Sequence, residues 1–400
     1  MKKNHLFAFV ALLCNLAFAQ GNSAVPFLTL QPSPLFEGTG RIGAAVPSQD
    51  ALGFYYNPAQ LGYFSRENNL GFSMLPKADW VSNLMPGVTL QSYGIAAGYN
   101  FNKSGKGIPL SIGVGFIHGK MVFGEYIIYD QNMKKVENYD SYNCFSVGAS
   151  YDYYLLFNLG FSIKPFKSEL GISGASSTAF DLGAMVIAPV SKLWFDDLKY
   201  QLDDNSYFKP AVDFTLGYSL TNLGKEISYV DASQKDPIPR TARLGYSFDF
   251  GLDLFVHEKN IRVFDYTFTA EADDELIKNN YPEVEYKGIL GDISFGKNLV
   301  VLKSNDDVVI HRGHSFRLFE SFIFTFGRIT GGGYSNVKSG GMGISSQGIF
   351  KLIGLSVNNS VVEYITDHFV IEYYNMNEFI DSGFETNLRQ VAVNFKSFSL

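Results

Sequence analysis

Along most of the chain, apolar and polar residues alternate with a period of two. Between 92 and 101, Tyr93, Ile95, Ala97, Tyr99 and Phe101 share one parity, and Ser92, Gly94, Ala96, Gly98 and Asn100 the other. The same contrast sets Leu110, Ile112, Val114 and Phe116 against Ser111, Gly113 and Gly115. It sets Phe157, Leu159, Phe161 and Ile163 against Asn158, Gly160, Ser162 and Lys164. Further on, Val212, Phe214, Leu216, Tyr218 and Leu220 oppose Asp213, Thr215, Gly217, Ser219 and Thr221. Successive strand side chains point to opposite faces, so each segment reads as a strand with one greasy face and one small or polar face. The alternation predicts strands near 68–76, 88–101, 109–120, 142–154, 156–166, 179–189, 210–222, 240–254, 261–273, 286–296, 315–328, 341–358, 368–375 and 387–398.

A soluble β-sandwich alternates in the same way, but its strands typically run to ~5–6 residues. These segments run to about ten or more, enough to cross a bilayer at a tilt. The expected fold is all-β: a transmembrane antiparallel β-barrel of about 14 strands, an even number as bacterial barrels have. Polar links at 190–209, 223–239, 274–285 and 303–314 are expected as long loops, and Tyr154 to Leu156 as a tight turn. Tyr151, Tyr153, Tyr154, Tyr373 and Tyr374 are expected at the interfacial girdles.

Composition supports a surface that does not face water. Aromatic residues make up 16% of the chain, and charged residues only 18%. After residue 19, no stretch approaches the ~18 continuous apolar residues of a membrane-spanning helix. Residues 1–19 read as a signal peptide: Lys2 and Lys3, an apolar run from Leu6 to Phe18, and a small-x-small site at Ala17-Phe18-Ala19. Residues 20–65 do not alternate and form an N-terminal plug segment, and 66–400 form the barrel. Export with barrel strands places the protein in the outer membrane of a Gram-negative bacterium. Removing Lys2 and Lys3 takes the formal charge from −7 to −9, which argues against nucleic acid as a partner. Only Cys144 then remains, so no intramolecular disulfide can form.

Candidate chemistry is sparse. Gly38, Gly40 and Gly43 spell G-x-G-x-x-G, but the two prolines of "LQPSPLFE" precede them, and a dinucleotide site needs a strand there. These glycines instead read as backbone threading through a crowded space. His311 and His314 lack a third metal ligand and are expected in a solvated loop. The acidic groups Asp203-Asp204, Asp273-Asp274-Glu275 and Glu283/Glu285 are expected as solvated loop tips, while Lys164, Asp213 and Asp249 suit a polar lumen. No catalytic, cofactor-binding or metal residues are assigned, and the expected protein is not an enzyme. In "FYYNPAQLGYF", Asn57 is a good helix N-cap and Pro58 a good first helical residue. That stretch predicts one short helical turn closed by Gly62, wedged against the inner wall by Tyr55, Tyr56, Tyr63 and Phe64.

"NPAQL", with Asn57, Pro58 and Ala59 after a Gly- and Ala-rich run, resembles the N-terminal signature of the FadL-like outer-membrane proteins, most closely the PorV/PorQ branch. "AFDLGAMV" with Asp181 and Gly183, "LGYSLTNLGKEI" with Asn222 and Gly224, and "IPRTARLGYSF" with Pro239, Arg240 and Gly245 follow in the family's order. The resemblance implies a fourteen-stranded barrel with its N-terminal segment folded into the lumen. It implies two alternative roles: a binding and shuttle component of type IX protein secretion, or a channel for small hydrophobic molecules. The partners expected are outer-membrane lipid and lipopolysaccharide, with a secretion translocon and exported cargo in the first role and hydrophobic small molecules in the second. A barrel hydrolase is the third class, and it would need Ser, His and a carboxylate converging at one rim.

Overall fold

Leu159 is 65% exposed while its neighbour Asn158 is 1% exposed, an inversion that a water-soluble sheet packing does not produce. In this computed structural model, which describes residues 23–81, 83–128, 134–231, 235–257, 259–280, 283–357, 359–382 and 384–398, the greasy parity of the strands points outward and the small parity inward. The signal-peptide expectation for residues 1–19 lies outside the described residues.

The barrel strands are β1 (Leu70–Asp79), β2 (Thr89–Asn100), β3 (Leu110–Ile128), β4 (Lys134–Asp152), β5 (Leu156–Leu170), β6 (Ser173–Ala188) and β7 (Ser206–Leu223). They continue as β8 (Thr241–Val256), β9 (Lys259–Glu275), β10 (Val308–Leu318), β11 (Phe322–Gly331), β12 (Tyr334–Ser345), β13 (Phe369–Glu378) and β14 (Thr386–Phe395). Each pairs antiparallel with the next, and β14 returns to β1 with Phe395 opposite Leu70. All fourteen strands close into one barrel, the condition for strands to sit in lipid, with a single seam paired over only part of its length. The terminal rim is where β1 begins and β14 ends; the opposite end is the far rim. At one seam, β6 pairs with β7 only from Phe180 to Ala188. Beside the remaining stretch of β6 lies the connection 224–240, whose Tyr229 hydroxyl donates to Ser168 Oγ at 2.9 Å.

Three expected strands are corrected. Residues 286–296 are not a barrel strand. They belong to the connection 276–307, where Gly288, Gly291 and Asp292 break the alternation. This connection folds over the outer wall: Ile293 and Leu299 pack with the outward Ala242 and Ala272, and Tyr218 and Tyr246 donate to the carbonyls of Ile289 (2.5 Å) and Leu299 (3.2 Å). The expected loop 303–314 holds most of β10 instead. The expected strand 315–328 is two strands, because Phe319 and Glu320 both take a left-handed conformation (φ 52° and 51°) and turn the chain from β10 into β11. Within the expected strand 341–358, β12 ends at Ser345 and a helix, Ser346–Ser356, follows, its first turn capped by Ser345 Oγ accepting from Gln347 N. Tyr151, Tyr153 and Tyr154 are exposed at the terminal rim, and Tyr373 points outward; Tyr374 points inward and is buried.

Candidate functional site

From residue 23 onward the N-terminal segment runs through the barrel interior. Short helices α1 (Pro34–Gly38) and α2 (Gln60–Phe64) interrupt it. Asn57 Oδ1 accepts the N–H of Ala59 at 3.0 Å, and its amide donates to the Ala44 carbonyl at 2.7 Å. The Asn-Pro step therefore forms a turn that leads into α2, and the helix itself begins at Gln60 rather than at Pro58. The turn does not end at Gly62: α2 continues to Phe64, and Gly62 lies within it because the Ala149 carbonyl presses there, 2.4 Å from where a Cβ would stand.

This turn lies flat on the wall because five inward glycines are in register. Gly98 pairs with Gly113, Gly113 with Gly148, Gly148 with Gly160 and Gly160 with Gly183, crossing β2 to β6 in one row. A Cβ on Gly160 would stand 2.2 Å from the carbonyl carbon of Pro58, and one on Gly183 2.0 Å from Asn57 Oδ1. No side chain fits between segment and wall, so only glycine permits the approach.

On the opposite wall the contact is ionic and hydrogen-bonded. Glu271 of β9 accepts from the N–H groups of Gly43 (3.1 Å), Ala44 (2.9 Å) and Ala45 (3.0 Å). Gly245, opposite Glu271 on β8, leaves room for that side chain to lie flat. Arg243 donates to the Arg41 carbonyl at 2.5 Å, pairs with Asp273 at 2.6 Å, and stacks 3.9 Å from the Tyr56 ring. His311 Nδ1 lies 2.7 Å from the Gly40 carbonyl and its Nε2 3.1 Å from Asp273. His311 is therefore a buried wall residue, and His314 lies on the outer face of the same strand against the Tyr266 hydroxyl (2.9 Å); neither is in a loop. Asp273 and Asp274 are likewise in β9 rather than at a loop tip, and Asp274 is buried. The two ring nitrogens of His311 thus lie between the luminal segment and Asp273 of the wall. Among the described residues no group of three or more His, Cys, Asp or Glu side chains is placed to hold a metal ion.

Gly38 and Gly40 are pressed against the wall too. The Gly38 carbonyl accepts from Thr325 and Ser339 at 3.2 Å, and Gly40, at φ 89°, would meet the Arg312 carbonyl if it had a Cβ. Arg41 is caught between Glu37 (2.8 Å) and Glu378 (2.7 Å). Burial, aided by the neighbouring Glu378 and opposed by Arg41, pushes the Glu37 carboxyl up to about 8. Burial also pushes the Tyr63 hydroxyl up to about 12.

Three of the motif segments converge on one buried lysine. Lys164 pairs with Asp181 at 2.9 Å, donates to Asn222 Oδ1 at 3.1 Å, and sits 4.0 Å over the Tyr55 ring. Asn222 takes a left-handed conformation (φ 57°). Its backbone N–H reaches Asp181 at 2.7 Å, and its amide donates to Pro239 (3.1 Å) and Leu28 (3.3 Å). Gly224 packs under Ile238, outside this contact. Arg240 also lies outside it, 4.0 Å over the Tyr286 ring. The sequence reading missed Glu271 and Arg243; each sits on the polar parity of its strand, but nothing in an alternating pattern tells an anchoring carboxylate from a solvated one.

A cavity of about 290 Å³ opens on the far-rim side of the segment. Leu28, Arg41 and Tyr56 form its floor, and Arg243, Asp273 and His311 line it from the wall. On the terminal-rim side, Arg262 bridges Asp253 (2.8 Å) and Asp265 (3.1 Å) in a polar lumen that includes Asp249. The interior is thus polar on both sides of the segment.

A family model described as type IX secretion system protein PorV matches residues 19–263, more than half of the chain, and the chain belongs to that family. It is an outer-membrane β-barrel. No curated protein matches it by sequence. Solved structures similar to it include the Pseudomonas putida toluene transporter TodX (10% identity, 92% of this chain and 99% of that one, TM-score 0.40). A Pseudomonas aeruginosa FadL homologue (8%, 94% and 100%, 0.38) and the CymD monoaromatic hydrocarbon channel (12%, 93% and 99%, 0.35) are similar as well.

Proposed function

We propose that this barrel is a non-enzymatic binding component of type IX protein secretion, with residues 23–67 as a fixed plug. The observation that carries this reading is the fit of the plug to the wall: a five-glycine row on one side, and one carboxylate on three consecutive amides on the other. A segment held at both walls suits a closed barrel that works through its outer surfaces. The connection 276–307 adds support, because it carries Ile289, Leu290, Phe295, Val300 and Val301 exposed. Exposed apolar side chains on a loop offer a protein partner an anchor. Asn57, Pro58, Ala59, Gly38, Gly40 and Gly43 then serve as plug residues. Asp181, Gly183, Asn222 and Gly245 act as the wall positions that receive the plug, with Gly224, Pro239 and Arg240 shaping the connection above them.

The second reading, a channel for small hydrophobic molecules, has the partly paired β6–β7 seam in its favour. The charged lining of the cavity beside the plug speaks against it, since an apolar solute gains nothing there. Affinity purification from detergent-solubilised membranes separates the two. The expected result is co-purification of a large translocon barrel with the wild-type chain and its loss with Phe295→Ser/Val300→Ser/Val301→Ser. Recovery of the chain without a protein partner, carrying a bound hydrophobic small molecule, would overturn the proposal.

A further inference from the structure

On the outer face of the barrel, three cations stand side by side on three adjacent strands. Arg312 of β10 is paired in register with Arg328 of β11, and Arg328 with Lys338 of β12. All three point away from the lumen: the adjoining Gly313 and Gly327 meet Thr39 and Gly40 of the luminal segment, and Ser339 donates to the Gly38 carbonyl. Directly opposed residues on neighbouring strands bring their Cβ atoms to about 4.5–5.5 Å, and like charges so placed destabilise a sheet. Little protein offsets this row. Lys338 reaches Asp381 at 3.0 Å, and Arg328, without an ion pair among the described residues, donates from Nε to the Asn336 side-chain oxygen. Arg312 has no ion pair among the described residues, and its Nε is buried without a hydrogen-bond partner. In a chain of net charge −7 this is a local concentration of positive charge.

Its height on the barrel says what meets it. Going up β11 from the terminal rim, the outward residues are Phe322, Phe324 and Phe326, all exposed, and then Arg328, three residues short of the turn at Gly331. On β12, Ile344 and Met342 are exposed below Lys338, and Gly340, paired with Phe326, leaves a notch between them. The lipid-facing apolar band thus ends at the cationic row, the level at which headgroups lie. The geometry points to a binding site for the phosphorylated headgroup of a membrane lipid, its phosphate on Arg312, Arg328 and Lys338 and an acyl chain in the notch beside Phe326. Guanidinium groups bind phosphate through paired hydrogen bonds, and an anion here removes the repulsion along the row. The site is independent of which role the barrel plays.

Native mass spectrometry of the full chain in a neutral maltoside detergent tests this, with three probes: bisphosphorylated lipid A, the same lipid with its phosphates removed, and inorganic phosphate. Bisphosphorylated lipid A is expected to bind, and Arg312→Gln/Arg328→Gln/Lys338→Gln to weaken it by about tenfold or more. Folding of the variant is checked by heat-modifiable electrophoretic migration. Should the triple variant not fold, Arg328→Gln/Lys338→Gln, which alters only exposed side chains, carries the same expectation at about threefold or more. Equal binding of the dephosphorylated lipid, or undiminished binding by a folded variant, would overturn the site. Displacement of the lipid by an equal concentration of inorganic phosphate would make it a free-anion site and overturn the lipid assignment.

Discussion

Glu271 Oε1 lies 2.9 Å from the backbone nitrogen of Ala44, and the same carboxylate takes the N–H groups on either side, so one wall residue fixes the middle of the luminal segment. Glu271→Ala leaves three buried donors unmet, at about 1–3 kcal/mol for each that water cannot reach. Glu271→Gln keeps one acceptor oxygen and is expected to cost less. The measurement is trypsin cleavage after Arg41, which is buried in the native barrel. Cleavage should become rapid in Glu271→Ala and intermediate in Glu271→Gln, with unchanged heat-modifiable migration in both. Equal protection in all three proteins would show that Glu271 does not hold the segment.

The glycine row predicts a steric effect on the other wall. Gly160→Val places a branched side chain where the Pro58 carbonyl carbon stands, 2.2 Å from the first added atom. Overpacking of this kind costs about 1–3 kcal/mol, and here the movable partner is the luminal segment rather than the closed sheet. Small-solute permeability in proteoliposomes should rise. Gly288→Ala, where a Cβ meets nothing within 4 Å, is the matched control and should leave permeability unchanged.

The wall was legible in the sequence because lipid on one side and a filled lumen on the other enforce strict alternation, as at Leu159 and Asn158. It failed where both parities turn polar. In β10, His311 faces the luminal segment and Arg312 faces the headgroup level, so a strand with two polar faces reads as a loop. It failed again at 286–296, which has strand-like apolar content because it covers the outer wall rather than forming it. The Asn57 turn was readable from local capping chemistry. Its end was not: Gly62 signals a helix stop by propensity, but the glycine is required by the approach of Ala149 in tertiary structure. Glu271 and Arg243 were invisible as anchors because their partners are backbone groups more than 200 residues away.

Lys164 and Asp181 form a fully buried pair beneath Tyr55. Removing one partner strands the other charge, so Lys164→Met is expected to destabilise the folded barrel by about 3–5 kcal/mol. Lys164→Met/Asp181→Leu removes both charges and should recover a large part of that loss. Recovery will be incomplete, because Asp181 also accepts the N–H of Asn222, which holds a left-handed turn. Unfolding transitions of the two single variants and the double variant close the cycle. A double variant as unstable as the sum of the singles would show that the two side chains act independently.

Glu37 links the fit of the luminal segment to pH. Its carboxyl, ordinarily near 4.5, is raised to about 8 by burial and by Glu378, against the pull of Arg41. The folded protein therefore holds a proton on Glu37 that the unfolded chain releases between these two values. Stability falls wherever the native state binds more protons than the unfolded state. The contribution of Glu37 is thus fully present below about 4.5, declines as pH rises toward about 8, and is lost above it. Once ionised, two carboxylates share the single guanidinium of Arg41 at 2.8 and 2.7 Å. Glu37→Gln removes the titration while leaving the other acidic groups in place. The difference in unfolding free energy, wild type minus Glu37→Gln, should fall across this interval and level off beyond it, and tryptic cleavage after Arg41 should quicken in the wild type over the same range. A difference that stays flat from pH 4.5 to 8 would show that Glu37 is not held protonated in the luminal segment.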